Sequence, residues 1–278
     1  MDPISLTQGQ IADYHRDGFL IVKDFFKKEE IERLYDVAIH DDIVSKNAIN
    51  VNDSSGKNTK LSLWYKPGDD IYGLLTRSER IVNAANQLMD GSSAVCHYHS
   101  KLMQKEPKVG GAWEWHQDYG YWYKNEFLFP DQMLSVMVAI TDANKENGCL
   151  QVIKGSHKMG RVEHGFSGEQ VGASQRYVDL ALDTMEHLFV ELSAGDTLFF
   201  HSNILHRSEA NLSDKPRWSL ISCYNRETNT GYNESSSNSA STTPINTVPD
   251  EALLTWEPKA LNVDGSDFLT KEADVSLK

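Results

Sequence analysis

Residue types that could hold a metal ion occur in this chain as a short His-x-Asp unit with separate histidines further along. The unit is present three times, as His15 with Asp17, His40 with Asp42 and His116 with Asp118. Two histidines and one carboxylate on one face of a ferrous ion leave coordination positions open for a cosubstrate and oxygen, as in non-haem iron oxygenases. The sequence therefore raises the hypothesis of an Fe(II) site.

The local pattern separates the three pairs. Residues two apart share one face of a β-strand, but they point about 200° apart around an α-helix. The first two pairs fall at or near the ends of helical patterns, so His15 and His40 are expected to be solvated or capping residues. His116 and Asp118 lie in an extended context, where both side chains can converge on one ion.

The second histidine of such a site must come from another strand, and its surroundings favour His206. Ser208 shares its strand face, and Arg217 follows a turn that contains a proline. A cosubstrate that chelates iron through a 2-oxo acid needs an anchor for its far carboxylate, which an arginine fork provides. Ser219 faces the same way as Arg217. The spacing alone also fits a surface ion pair for Arg217.

Three further histidines could take part but also have ordinary explanations. His201 ends an apolar strand and is the rival distal ligand, yet no matching serine and arginine follow it. Hydrogen-bonded histidines are common at strand ends, so a core or rim role is expected for it. His97 and His99 are predicted to share one strand face. His99 is the candidate for a cosubstrate contact, with a hydrogen-bonded core role as the alternative.

The elements that must position these residues begin with a mixed N-terminal part, residues 1–92, in which helical and extended patterns alternate. Thr7 and Gln10 have the spacing of a capping box at the start of the first helix. Residues 43–60 are polar and are expected to form a loop.

Residues 93–228 consist of short segments rich in branched and aromatic side chains, separated by turns. Many short strands at this spacing are typical of an antiparallel sandwich or barrel. The remainder, 229–278, contains the polar run NESSSNSASTTP, which cannot bury a core. With 278 residues, the chain is predicted to form a single catalytic domain, mainly β with flanking helices.

The composition limits the partners and the location. The net charge of −13 would repel a phosphate backbone, and no basic stripe offsets it, so no nucleic-acid partner is expected. No segment approaches the roughly 20 apolar residues that span a bilayer, and the N-terminus lacks the features of a secretory signal. The three cysteines are odd in number and far apart, which argues against disulfides. We expect a cytoplasmic protein with no membrane partner; the sequence carries no signal for an oligomeric state.

Taken together, the motifs between residues 97 and 225 resemble those of the phytanoyl-CoA dioxygenase family of 2-oxoglutarate oxygenases, in a branch that includes ectoine hydroxylase. The resemblance rests on WHQD at 115–118, TD at 141–142, NGCL at 147–150, IKGSH at 153–157, GDTLF at 195–199, and His206 with Arg217 eleven positions later. The segment YHRDGF at 14–19 extends it weakly to the start of the chain.

This resemblance implies a double-stranded β-helix, the cupin-like jelly roll. His116, Asp118 and His206 match the ligands of Fe(II), while Arg217 and Ser208 match the partners of the C5 carboxylate of 2-oxoglutarate. The implied reaction uses O2 and releases succinate and CO2. Retention of Asp118 favours hydroxylation over halogenation, with desaturation and ring closure left open. His99 stands where ectoine hydroxylase has a glutamine, so the contacts at that position are expected to differ.

The expected substrate is a small polar metabolite, cationic or zwitterionic, rather than a fatty acyl-CoA, because an acidic chain without clustered cations suits CoA phosphates poorly. If the strand continues through the run WEWHQDYGYWY, Glu114 and Trp122 share the ligand face and are the candidate substrate contacts. The other aromatic residues would then point away and pack between layers: Trp113, Trp115, Tyr119, Tyr121 and Tyr123.

Two other functional classes also fit parts of the pattern. A non-oxidative jelly-roll metalloprotein, such as a hydrolase or isomerase, could use the same three ligands, but Arg217 would have no role in it. A carbohydrate-binding module could stack sugars on the aromatic run, but the three convergent ligands would then be unexplained. Iron-dependent release of succinate separates the first hypothesis from both.

Overall fold

Two antiparallel β-sheets of unequal size lie face to face in the computed structural model, which describes residues 5–40, 46–167, 170–231, 242–257 and 268. The strands are β1 (Phe19–Val22), β2 (Ile49–Asn52), β3 (Asn58–Trp64), β4 (Val95–Lys105), β5 (Trp113–His116), β6 (Met133–Ala139), β7 (Leu150–Ile153), β8 (His164–Ser167), β9 (Gln170–Ala173), β10 (His187–Val190), β11 (Thr197–His201), β12 (His206–Ser208) and β13 (Arg217–Arg226). The helices are α1 (Gln8–Asp17), α2 (Lys28–His40), α3 (Ile71–Thr76), α4 (Glu79–Leu88), α5 (Asp118–Trp122), α6 (Gln175–Thr184) and α7 (Ala252–Thr255).

The larger sheet has seven strands in the order β1-β11-β6-β13-β4-β3-β2, and the smaller has four in the order β10-β7-β12-β5. A separate hairpin joins β8 and β9. The predicted fold class, mainly β with flanking helices in a jelly roll, is confirmed. No helix in the described ranges has the length and apolar character needed to cross a membrane.

The side chains of strand β6 alternate between two faces, and each face packs into a different part of the core. All of its residues are buried, because the strand is covered on both faces. One set packs beneath the helices of the N-terminal part: Leu134, Val136 and Val138. The alternate set packs between the two sheets: Met133, Met137 and Ala139. The site described below lies in this inner layer.

The N-terminal part docks onto the edge of the larger sheet. The predicted capping box is present: the Thr7 side chain accepts from the Gln10 backbone N–H, and the Gln10 side chain accepts from that of Thr7. Helix α1 ends at Gly18, whose φ is 84° and where a Cβ would lie 2.4 Å from Nδ1 of His157. Glycine is therefore required there twice, for the left-handed turn and for the close approach.

The prediction of a loop over 43–60 is wrong for most of that range; residues 41–45 lie outside the described residues. Strands β2 and β3 form a hairpin instead. Its turn is organised by Asp53, whose Oδ1 accepts from the backbone N–H groups of Ser55 and Lys57. The polar composition therefore reflects turn chemistry.

Part of the C-terminal segment packs on the body of the protein. Ile245 donates a backbone hydrogen bond to Val95, and Leu253 is fully buried in the core next to the helices. Phe268 pairs with Trp64 at the end of β3. Most of the polar run NESSSNSASTTP lies outside the described residues.

Candidate active site

A buried group of three metal-binding side chains lies between the two sheets. His116 ends β5 and His206 begins β12, and the two residues are direct partners in the antiparallel ladder. Oδ1 of Asp118 lies 3.8 Å from Nε2 of His116 and 3.9 Å from Nε2 of His206. The three ligand atoms lie within 4.8 Å of one another, and across the described ranges no other such group of three occurs. The structure thus brings together the three residues selected from the sequence.

Hydrogen bonds orient each ligand. Nδ1 of His116 donates to the Glu114 carbonyl at 2.7 Å, and Nδ1 of His206 donates to the Ile204 carbonyl at 3.0 Å. Because a carbonyl can only accept, these bonds place the imidazole proton on Nδ1 and leave Nε2 free for a metal. Oδ2 of Asp118 accepts from Oγ of Ser135, which leaves Oδ1 turned toward the histidines.

Protonation states in this group suit a divalent cation. Burial lowers the pKa of His116 and of His206, so both imidazoles are neutral at neutral pH. Burial alone would raise the pKa of Asp118, but the Lys101 ammonium and the hydrogen bond from Ser135 favour the charged carboxylate and lower that pKa. One carboxylate and two neutral imidazoles are the donor set of non-haem iron(II).

Gln117, between two of the ligands, was not selected from the sequence. Its buried Nε2 donates to the carbonyls of Gly160 and Asn203, at 2.8 and 2.7 Å, and its Oε1 accepts from the backbone N–H of Val162. These bonds tie the turn between β5 and α5 to residues 160–162 and, through Asn203, to the loop that leads into His206. Its place inside the His-x-Asp unit was the one available signal.

A second feature of the cavity is a buried cation without a counter-ion. Arg217 is only 2% exposed, and burial lowers its pKa to about 10. Its Nε has no hydrogen-bond partner, and neither has Oγ of Ser219 on the same strand face. Within the part of the chain that the structure describes, no carboxylate lies within 4.0 Å of Arg217. An unpaired buried guanidinium is costly, so this end of the cavity fits an anionic group.

Lys105 reinforces this positive end and was also missed in the sequence. It is the ladder partner of Arg217. Its Nζ donates to Oγ of Ser208 at 2.8 Å and to the Glu209 carbonyl. Burial and the charge of Arg217 lower the pKa of Lys105 far below its usual range. The available signal was a second lysine four residues after Lys101 on the same face of a predicted strand; the approach of Lys105 to Arg217 depends on strand pairing.

A β-bulge in β4 alters the prediction for the two histidines there. His99 pairs with Cys223 and His97 with Tyr224, so Tyr98 is the extra residue and the histidines lie on opposite faces. The prediction of a shared face is therefore wrong. His97 hydrogen-bonds with the Tyr65 carbonyl and Oγ of Ser100, a core role. His99 lines the cavity.

Another bulge, in β5, alters the prediction for the aromatic run. His116 pairs with His206 but Trp113 with Ser208, so three steps on β5 match two on β12. Consequently Trp113 lines the cavity, whereas Glu114 is not among its lining residues. The strand also ends before Asp118, and helix α5 turns both Trp122 and Tyr121 toward the cavity.

The remaining predictions for this run and for the rival histidines can be placed directly. Trp115 and Tyr119 are buried in packing clusters, as expected, whereas the prediction that Tyr123 packs between layers is wrong, because its side chain is exposed. His201 hydrogen-bonds with Oδ1 of Asp131 at 2.9 Å and is not part of the metal-binding group. His15 lies in the last turn of α1 and His40 ends α2, both exposed, and Asp42 lies outside the described residues.

The match to a family model decides the classification. Residues 14–219 match the model described as phytanoyl-CoA dioxygenase (PhyH), which is more than half of the chain. The chain belongs to the phytanoyl-CoA dioxygenase family. It is accordingly an iron- and 2-oxoglutarate-dependent dioxygenase, as predicted, and every element of the site described above except the far end of β13 falls inside the matched range.

Individual members of the phytanoyl-CoA dioxygenase family differ widely from this chain. Ectoine dioxygenase from Bordetella bronchiseptica is 26% identical over 241 residues, covering 81% of this chain and 77% of the relative. L-Proline trans-4-hydroxylase from Streptomyces griseoviridis is 32% identical over 178 residues, covering 58% and 65%. A solved structure of EctD from S. alaskensis, in its apo form, is 18% identical with a TM-score of 0.70 and covers 90% and 89% of the two chains. This structural likeness shows the shared fold.

Proposed function

We propose that this dioxygenase hydroxylates a small polar metabolite, with His116, Asp118 and His206 holding Fe(II) and Arg217 binding the C5 carboxylate of 2-oxoglutarate. One observation carries the assignment of residues: a two-histidine, one-carboxylate cluster and a buried arginine with an unpaired donor line the same cavity. The metal needs the first and the dicarboxylate needs the second.

The residues present fit both groups. Each histidine offers Nε2 because its Nδ1–H is bonded to a carbonyl, and Asp118 offers Oδ1 because Ser135 binds its other oxygen. Arg217 and Ser219 have free donors for a carboxylate. When bound, iron and 2-oxoglutarate supply the oxidising chemistry with O2, releasing succinate and CO2.

The rest of the cavity would orient the substrate and keep bulk water out. His99 and Trp122 pack edge to face, with ring centroids 5.9 Å apart, and both line the cavity near the ligands. We assign His99 to the cosubstrate side of the cavity and Trp122 to the substrate side. Glu114 does not line the cavity and is not assigned a substrate contact. Shielding of this kind confines oxidation to the bound molecule.

Several observations favour hydroxylation of a small metabolite over the alternatives. A hydrolase or isomerase leaves the unpaired Arg217 without a purpose, and a sugar-binding module leaves the buried ligand cluster without one. Halogenation would require the position of Asp118 to be vacant for halide, and the carboxylate is present. Two relatives are named for ectoine and L-proline, both small metabolites, while a third is named for phytanoyl-CoA.

The proposal includes the setting of the enzyme. The three cysteines are free and buried, which suits a reducing cytoplasm. With a net charge of −13, no nucleic-acid partner is proposed.

The test is succinate formation by purified protein, with Fe(II), 2-oxoglutarate and O2 each omitted in turn, over a panel of amino acids, betaines, sugars and acyl-CoA esters. Succinate should require all three components and rise with one class of small metabolite. Stimulation by long-chain acyl-CoA alone would refute the substrate class. Absence of succinate in iron-loaded protein would refute the assigned reaction.

A further inference from the structure

Lys101 is a charged residue near the metal-binding group that the proposed function leaves without a role. On β4 it belongs to the row of alternate residues that faces the cavity with His99 and Met103. Its Nζ lies 3.8 Å from Oδ1 of Asp118, and its side chain is only 18% exposed. In the described part of the chain, its ammonium makes no hydrogen bond. It is therefore a largely buried cation with unused donors.

Its position separates it from Arg217 and Lys105, the cations at the positive end of the site. Lys105 is the ladder partner of Arg217, whereas Lys101 is the partner of Ile221. These two pairs lie four residues apart along both strands, or about 14 Å between backbone positions at the usual rise. Lys101 thus stands at the metal end of the cavity and Arg217 at the other.

The balance of charge at the metal end calls for an anion beside Lys101. Asp118 is its single carboxylate neighbour within 4.0 Å among the described residues, and that carboxylate would be neutralised by a divalent metal. With Fe(II), the 2-oxoglutarate dianion, Asp118, Arg217 and Lys101 counted together, a net positive charge remains. A partly buried excess charge is stable only when an anion joins it.

The wall of the cavity next to Lys101 indicates what the rest of the anionic ligand is like. The β2–β3 hairpin contributes an apolar surface formed by Ile49, Val51, Leu61 and Leu63. Among the described residues that line the cavity, Asp118 is the one carboxylate, so a purely cationic substrate would meet no counter-charge besides a metal ligand. This surface suits an apolar skeleton next to an acidic group.

We infer that Lys101 binds a carboxylate of the substrate, and that the substrate class is a small carboxylic acid with an apolar skeleton, a free or cyclic amino acid included. The inference rests on the proposed function and narrows its substrate. The same ammonium could instead serve the metal-chelating carboxylate of 2-oxoglutarate. The two sources are distinguished by which Michaelis constant changes when Lys101 is replaced.

The experiment compares acids with their primary amides, beginning with L-proline and L-prolinamide and with L-leucine and L-leucinamide. Succinate formation is measured in the unsubstituted protein and in Lys101→Met, Lys101→Arg and Lys60→Met. The last variant is the matched control, because Lys60 is exposed on the adjacent strand β3. Iron content and thermal unfolding are measured for each variant, and Lys101→Arg preserves the charge if Lys101→Met folds poorly.

An acid should stimulate the unsubstituted protein with a Michaelis constant about ten-fold lower than that of its amide. Lys101→Met should raise the constant for the acid about ten-fold and bring acid and amide together, with Lys101→Arg intermediate and Lys60→Met unchanged. If Lys101→Met raised only the Michaelis constant for the cosubstrate, the inference would be overturned and Lys101 would belong to the 2-oxoglutarate site.

Amides as effective as acids, or no stimulation by any acid, would also overturn it. Slow formation of succinate from 2-oxoglutarate alone in those cases would show that the proposed function survives. Absence of that basal succinate from iron-loaded, unsubstituted protein is the separate outcome that refutes the proposed function itself.

Discussion

His206 on β12 pairs directly with His116 on β5, and the centroids of their imidazole rings lie 4.0 Å apart. Two residues that are 90 positions apart in the sequence are therefore fixed by one ladder contact. Each ring is further held by its Nδ1 bond to a carbonyl two residues earlier in the chain. The sheet thus preorganises the ligand pair before any metal binds.

Replacing either histidine should abolish iron binding and turnover. With His116→Ala or His206→Ala, an open site retains two protein ligands and should hold Fe(II) poorly. The measurements are the iron-to-protein ratio and oxygen uptake. His201→Ala is the matched control, because His201 is bonded to Asp131 and should not affect iron content. Iron retained by His206→Ala but lost by His201→Ala would reassign the distal ligand.

Arg217→Ala should raise the Michaelis constant for 2-oxoglutarate at least a few tens-fold, because a charged, paired contact of roughly 2 to 3 kcal/mol is lost. Arg217→Lys should restore only part of it, since an ammonium cannot reproduce the guanidinium fork. The Michaelis constant for the substrate, measured in parallel, should change far less. Equal increases in both constants would point to a folding defect instead.

Lys105→Met should separate stability from cosubstrate binding. Removing the Lys105 ammonium relieves its cost of burial and its repulsion from Arg217, which offsets the loss of its hydrogen bonds to Ser208 and Glu209. Thermal unfolding of the metal-free protein should therefore occur at an unchanged or higher temperature, while the Michaelis constant for 2-oxoglutarate rises about ten-fold. A less stable protein with an unchanged Michaelis constant would show that Lys105 is structural.

The ligand group could be predicted because it depends on local spacing. His-x-Asp in an extended segment, together with a distant histidine followed by serine and arginine, needs no knowledge of which strands pair. Lys105 could not be found in this way, since its closeness to Arg217 arises from the register between β4 and β13.

Two of the errors in the prediction arise from single inserted residues. A bulge reverses the face of every residue beyond it, and the alternating sequence pattern does not reveal where a bulge occurs. The extra residue at Tyr98 separates His97 from His99, and the one in β5 exchanges Glu114 for Trp113 at the cavity. The loop prediction over 43–60 was wrong for a different reason: the polar residues of the β2–β3 turn made the hairpin resemble a loop in the sequence.

Trp113 rather than Glu114 should therefore contribute to substrate binding. The Trp113 ring lies 6.4 Å from that of His116, and both side chains line the cavity. Trp113→Ala should raise the Michaelis constant for the substrate several-fold, because a large apolar contact is lost. Glu114→Gln on the same strand is the matched control and should change that constant less than about two-fold. A larger effect of Glu114→Gln than of Trp113→Ala would contradict the bulge in β5 and place Glu114 at the cavity.

Buried His97 should make the stability of the protein depend on pH. Burial lowers its pKa from 6.5 to about 3, so the folded protein keeps this imidazole neutral, bonded to the Tyr65 carbonyl and to Ser100. Above pH 6.5 the residue is neutral in both states and its contribution is complete. As the pH falls from 6.5 toward 3, the unfolded chain binds a proton that the folded chain does not, and the free energy of unfolding decreases by up to about 1.4 kcal/mol per pH unit.

His97→Asn should remove this component, so the free energy of unfolding from urea titrations should fall less steeply between about pH 6.5 and 4.5 than in the unsubstituted protein. His40→Asn, at the exposed end of α2, controls for the loss of a histidine as such. Equal slopes in His97→Asn and the unsubstituted protein would show that His97 does not remain neutral in the folded state.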